Sequence, residues 1–259
     1  MMAMIQALGA LRWLAVWRRN ARVWGKLAGP AMLGNIGEPL LYLLALGFGL
    51  GALVGEIEGM DYIAFLASGF VCASVMNTAS FESVYSAYTR MAVQETWTAM
   101  LYTPLSVADI LIGEVVWAAS KALLSAFFVL VVAAFLGAVD GWLALWVLPV
   151  ALLTGLAFSA MALVITAVSR SYDFFLYYFT LLLTPMLLFS GVFFPLDGMP
   201  TIVSQIAAIL PLWHAIELVR PLMTGQIPGM IPLHLLVLSL YCLLPLWLAG
   251  RLVSHRLHR

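Results

Sequence analysis

The sequence predicts an all-α polytopic membrane protein, and three observations predict it. Hydrophobic residues make up 64% of the 259 positions and charged residues only 9%, where soluble domains carry about 25% charge. The apolar residues gather into runs close to the ~20 residues that a hydrocarbon core of ~30 Å requires. Finally, the basic residues fall in alternate segments between those runs, as an oriented membrane protein demands. The net charge of zero says little about partners, and no nucleic-acid partner is expected. What matters is where the charges sit.

The chain opens on an amphipathic segment, residues 1–29. At ~100° per residue, Trp13, Trp17 and Trp24 fall within roughly 40° of one another. Arg12, Arg18, Arg19, Arg22 and Lys26 gather on the opposite side. A tryptophan stripe against a basic face suits a helix lying in the membrane interface. No uninterrupted apolar core leads to a small-residue cleavage site, so the segment is expected to be retained. A basic flank that only orients the first span would explain the arginines, but not the alignment of tryptophans.

Six spans are expected after it: 36–54, 62–84, 110–136, 143–168, 174–194 and 233–252. Glu56, Glu58 and Asp61 mark the far end of the first, and Asp140-Gly141 turns the chain after the third. Ser169-Arg170-Ser171 closes the fourth, and Pro195 ends the fifth. With the N-terminus inside, all of the 12 basic residues except Lys121 and Arg220 are cytoplasmic: the five above, then Arg90, Arg170, Arg251, Arg256 and Arg259. The outer loops hold Glu56, Glu58, Asp61, Asp140, Asp197 and Glu217. The pattern places both termini and the 90–105 connector in the cytoplasm.

That connector is not polar enough to be a plain loop. Gln94 to Tyr102 is expected to form a short helix, with Glu95 in its first turn near the positive end of the backbone dipole. Thr103-Pro104 stops it, and Ser106 or Asp109 caps the helix that follows. From residues alone, a helix that touches a soluble partner and an amphipathic connector resting on headgroups fit equally well. On the outer side, 195–232 is rich in proline but carries apolar pieces too short to span, such as Ile202–Leu210 and Ala215–Val219. Such pieces read as re-entrant half-helices dipping in from the outer face. A hydrophobic loop flat on the outer leaflet is the alternative.

Candidate chemistry is thin. The chain has no phosphate-binding GxxxxGK[ST], no HExxH and no GxSxG. Cys72 and Cys242 both lie in apolar runs and read as buried fillers, with no CxxC metal site. His214, Glu217 and Arg220 are spaced to form a polar cluster at an outer gate, with too few ligands for a metal. His255 and His258 sit in a basic tail that faces headgroups. Within the third span, Glu114 and Lys121 share a face with Trp117 and Ser125. They are ~10 Å apart along the axis, too far for a tight pair, and Lys121 is expected to snorkel toward the cytoplasmic side. Glu38 and Glu82, near the cytoplasmic boundary, are placed to pair with basic residues there. Several tyrosines, Tyr85, Tyr88, Tyr172, Tyr177 and Tyr178, fit interfacial anchoring.

Three stretches taken in order, ETWTAMLYTPLSVADILIGEVVW, LLFSGVFFPLDGMP (Leu187 to Pro200) and ILPLWHAIELVRPLMTG (Ile209 to Gly225), resemble the permeases of the ABC-2 exporter family. Within it they are most similar to the nodulation protein J branch, which exports lipo-chitin oligosaccharides. The resemblance covers nearly the whole chain. It implies a two-fold dimer of permeases in the inner membrane, working with two separately encoded ATPase subunits that bind ATP and Mg; this chain itself holds no cofactor and no catalytic residue. It also implies that Gln94, Glu95, Thr96, Trp97, Tyr102, Thr103 and Pro104 form the segment coupled to the ATPase. The cargo implied is a lipo-oligosaccharide or another glycolipid-like amphiphile, moving among membrane lipids; polysaccharide and hydrophobic-drug exporters share the architecture. A secondary transporter would need paired carboxylates or broken helices at the midplane, and a membrane enzyme would need a catalytic constellation.

Overall fold

The computed structural model describes residues 11–26, 40–196 and 199–257, together with Met4, Gly29 and Gly37. The expectations for Glu38, Asp197, His258 and Arg259, and for the ends of the N-terminal segment and of the first span, lie outside these residues. Ten helices are used below: α1 Trp13–Gly25, α2 Leu40–Val54, α3 Tyr62–Val93, α4 Thr96–Leu101, α5 Val107–Phe135, α6 Trp142–Val168, α7 Asp173–Phe189, α8 Thr201–Ala207, α9 Pro211–Met223 and α10 Ile231–Leu257. A two-residue antiparallel pair, β1 Glu56–Ile57 with β2 Met60–Asp61, joins α2 to α3.

Of these, α3, α5, α6 and α10 are long and apolar enough to cross a membrane. They match the expected second, third, fourth and sixth spans. The expected first and fifth spans correspond to α2 and α7, shorter apolar helices. Helices α8 and α9 meet at 89°, a broken span or a re-entrant loop, where proline at Pro211 starts the second piece without needing an N–H donor.

Three helices make the core: α3, α5 and α6 pack on one another, α10 lies along α6, and α9 wedges against α3, α6 and α10. Phe65, Leu66 and Met76 of α3 meet Leu111 of α5 and Phe158 and Leu163 of α6 in one buried cluster. Small residues permit the approach. A Cβ on Gly155 would sit 3.2 Å from Ala119 and Ala122, and Ser83 Oγ lies 2.6 Å from Ser159 Oγ across the α3–α6 contact, the small-and-polar interface expected where lipid gives helices no hydrophobic drive to associate. The outward faces of α2, α7 and α10 expose Leu41, Phe48, Leu53, Leu176, Leu181, Leu243 and Leu244, the apolar coat that a hydrocarbon solvent tolerates.

The short segments sort into two ends. At one end Arg12 donates to Pro104 O, Tyr88 to Arg170 O, and Arg256 to the carbonyls of Thr166, Ala167 and Ser169. At the other, Tyr62 donates to Phe193 O and the Asp140 amide to Met223 O. The charge asymmetry read from the sequence therefore maps onto two ends of one bundle, with Arg220 the basic residue at the acidic end among the described residues.

Several boundaries shift. The second span continues helically to Val93, because π turns at Glu82–Ser86 and Thr89–Val93 carry it past position 84. The third begins at Val107, three residues before Ile110, because Ser106 and Asp109 form a reciprocal capping box. The fifth stops at Phe189 rather than 194, and the 190–196 turn folds back against α3. A Cβ on Gly69 would lie 2.7 Å from Val192 O, so only glycine admits that close pass.

Candidate functional site

Polar residues of α3 and α5 converge beneath α4. Arg90 of α3 grips Glu114 of α5 with two parallel bonds, Nε to Oε1 at 3.0 Å and Nη2 to Oε2 at 2.5 Å. The same Nη2 reaches Glu82 Oε1 at 3.0 Å. Glu82 Oε2 accepts from Lys121 Nζ at 2.7 Å, and its Oε1 from Trp117 Nε1 at 2.8 Å. Trp97 of α4 completes the set by donating Nε1–H to Glu114 Oε1 at 3.1 Å. Two carboxylates and two cations thus cancel, with Glu82 and Glu114 only 4% and 1% exposed. A buried pair of this kind needs the remaining hydrogen bonds satisfied to repay its desolvation, and the two indoles do so.

Local geometry explains how Glu82 and Arg90 meet. Eight residues apart, they would stand roughly 80° apart around an ideal α-helix. The two π turns between them are wider, rotate less per residue, and bring Arg90 back over Glu82; π turns of this kind concentrate at functional positions.

The expectations for the third span are partly met. Glu114 and Lys121 do not pair directly; Arg90 and Glu82 bridge them. Glu82 pairs with basic residues as its position suggested. Lys121 does not snorkel, because Glu82 lies within reach on α3 and supplies a closer partner than the headgroups. Ser125 is buried one turn beyond. The link from Glu82 to Lys121 spans 39 residues, and no local spacing announces it.

The connector helix is shorter than expected. It begins at Thr96, not Gln94, and Glu95 is not in its first turn: its φ of 50° is left-handed, and this residue turns the chain from α3 into α4. Thr103 closes the far end by donating Oγ–H to Met100 O at 2.6 Å. Gln94, Glu95, Tyr102, Thr103 and Pro104 face outward, Tyr102 with 89% of its surface exposed, and Thr96 is half-buried. Trp97 points the other way and is wholly buried. It holds α4 to α5 and has no free face for a partner.

The tryptophan stripe of α1 also turns inward. Trp17 donates to Ser120 Oγ at 3.1 Å, and Trp17 and Trp24 both meet Trp117 edge-on, with centroids 6.4 and 6.0 Å apart. Trp13 packs beside Ala108 and Ile112. The stripe, half-buried, packs against α5, where Gly113 leaves room for it: a Cβ on it would stand 2.6 Å from Val16 Cβ and 2.8 Å from Trp13 O. Arg12, Arg18, Arg22 and Lys26 remain exposed as read. Arg19 is half-buried instead, and burial, with the nearby Arg90 charge, holds its guanidinium below the ordinary value.

The expected gate cluster splits. Glu217 and Arg220 line one cavity, while His214 faces α10, where its Nδ1 lies 2.8 Å from His234 Nδ1 and its Nε2 3.0 Å from Ala208 O. Residues three apart on a helix diverge by about 60°, and over six residues that places His214 and Arg220 on different faces. His234 was not anticipated; its isolated position at the start of α10 gave no signal.

Membrane-length helices packed through small residues, carrying a short helix latched onto them by a buried ion network, define a polytopic membrane protein. The chain belongs to the ABC-2 type transporter family, which it matches over residues 10–224. It is similar to nodulation protein J of Rhizobium leguminosarum bv. viciae, 49% identical over 252 residues that cover 97% of each chain. Nodulation protein J of Rhizobium meliloti is 44% identical over 95% of this chain and 94% of its own. The inner membrane transport permease YadH of Escherichia coli is 23% identical over 81% and 76%. The family resemblance carried by the three quoted stretches is thereby established.

Proposed function

We propose that this permease exports a lipo-oligosaccharide across the inner membrane as a dimer, powered by two copies of a separate ABC ATPase that binds ATP and Mg. The basic end of the bundle faces the cytoplasm in this reading, with both termini, α4 and the C-terminal end of α10; six spans cross the membrane, and α8–α9 form the outer re-entrant element. The ATPase docks on the outward face of α4. Closure of the ATPase pair moves α4, and Trp97 passes that motion to Glu114, Arg90, Glu82 and Lys121, hence to α3 and α5 together. The observation that carries the reading is this chain of bonds from an exposed helix to the packing of two spans. The nodulation protein J relatives support the choice of cargo.

A proton-coupled secondary transporter would use Glu82 or Glu114 as its titrating group, since they are the paired carboxylates such a mechanism needs. Both are bonded to Arg90 and Lys121, which commits them to holding α3 and α5 together.

Two variants test the coupling. Tyr102→Asp alters an exposed side chain without touching the core, and Ala99→Pro removes the Ala99 N–H bond to Glu95 O, at a cost of about 3 kcal/mol to the short helix. Both should reach the membrane at normal abundance, Tyr102→Asp should lose co-purification with the ATPase, and both should abolish export. Normal export by both, at verified abundance, overturns the reading.

A further inference from the structure

The end of the bundle remote from the ion network carries a second polar site that the coupling mechanism does not use. A cavity of about 460 Å³ lies among the β1–β2 turn, the 190–196 turn and α9, and its lining includes Glu58, Ser190, Trp213, Glu217, Arg220 and Thr224. That volume falls within the ~300–1,000 Å³ of small-molecule sites.

Three features set it apart from a packing gap. The hydroxyl of Ser190 is fully buried at the cavity wall with no hydrogen-bond partner, although buried polar groups are almost always paired. Glu58 holds a left-handed backbone, φ 53°, at the hairpin turn where glycine would sit without strain; retained strain of this sort marks functional positions. Arg220, 8% exposed, is fixed by Ser68 Oγ at 3.1 Å, by Gly191 O at 2.6 Å and by the Phe65 ring 3.7 Å beneath it. The guanidinium is thus preorganised, and binding need not order it.

The chemistry of the wall selects a ligand class. Among the described residues of the wall, two carboxylates outnumber the one guanidinium, which disfavours a phosphate or other anion. Hydroxyl, carboxylate and guanidinium groups together supply acceptors and donors in a small space. The Trp213 indole, steadied by edge contacts to His214 and His234, adds a flat apolar face. We propose that this cavity binds a neutral saccharide unit, whose hydroxyls donate to Glu58 and Glu217 and accept from Arg220 and Ser190, with Trp213 against its C–H face. The inference rests on the export reading in one respect: that unit is the head of the exported amphiphile, held at the outer end as it leaves.

The test is calorimetric titration of the full-length permease in detergent with short neutral oligosaccharides built on glucose and on N-acetylglucosamine. Wild type should bind one of them saturably, near ~1 mM or tighter. Glu58→Gly and Trp213→Leu should each weaken binding by about tenfold or more, the loss expected for a charge-assisted hydrogen bond and for an aromatic face against the sugar. Glu58→Gly should do so without lowering the melting temperature, since glycine takes the left-handed turn freely; a merely structural Glu58 would move stability and not affinity. Absence of saturable binding by wild type, undiminished binding by both variants, or displacement of the sugar by inorganic phosphate each overturns the proposal. Binding that shows this variant pattern upholds the cavity even if the assembled complex exports no lipo-oligosaccharide, in which case only the export reading falls.

Discussion

Neutralising Glu114 should break more than one bond. Its carboxylate takes two bonds from Arg90 and one from Trp97 while 1% exposed. Glu114→Gln leaves the buried cluster with one carboxylate against two cations. At ~4 Å and an effective dielectric of about 20, one pair of unit charges is worth about 4 kcal/mol. That agrees with the ~3–5 kcal/mol lost when one partner of a buried pair is removed. The single variant should therefore unfold about 3–5 kcal/mol more easily, and Arg90→Gln, which leaves Glu114 without a cation and Glu82 with Lys121 as its remaining one, should cost about as much. The double variant restores neutrality and should cost clearly less than the sum, with a coupling energy of about 1.5–3 kcal/mol. Denaturant unfolding of the purified permease, followed by circular dichroism, gives the four corners of the cycle. Additivity of the two singles to within about 0.5 kcal/mol would refute the idea that Arg90 and Glu114 act as one latch.

Other changes read different parts of the structure. Gly113→Val should force α1 away from α5 at an overpacking cost of about 1–3 kcal/mol, seen as lower thermal stability and a shift in tryptophan emission as Trp17 and Trp24 leave Trp117. Glu95→Gly should stabilise the isolated permease by about 1 kcal/mol by relieving the left-handed φ, measured as a rise in melting temperature. Arg256→Gln should release the carbonyls of Thr166, Ala167 and Ser169, costing about 1–2 kcal/mol and speeding amide exchange over residues 169–172. In a Cys72→Ala, Cys242→Ala background, a cysteine at position 95 should resist impermeant reagent in intact cells while one at position 61 reacts, which tests the orientation.

The sequence by itself determined the all-helical membrane class, the course of the long spans, the break at 195–232 and the sorting of charge to two ends. These are sums of local terms: the transfer cost of each side chain, the missing N–H of proline, the cap offered by Ser106 and Asp109. The family, too, was legible in three short stretches. What only the tertiary structure decided is which polar groups meet. Lys121 faces Glu82 instead of the headgroups, Trp97 turns in while Tyr102 turns out, the tryptophan stripe seats on α5, and His214 parts from Glu217 and Arg220. Each outcome depends on the rotation of one helix against another, and here on π turns that reset the phase of α3 between Glu82 and Arg90. An apolar run reads the same whichever way it is rotated; inside a membrane, the position of a partner for each costly charge fixes the rotation.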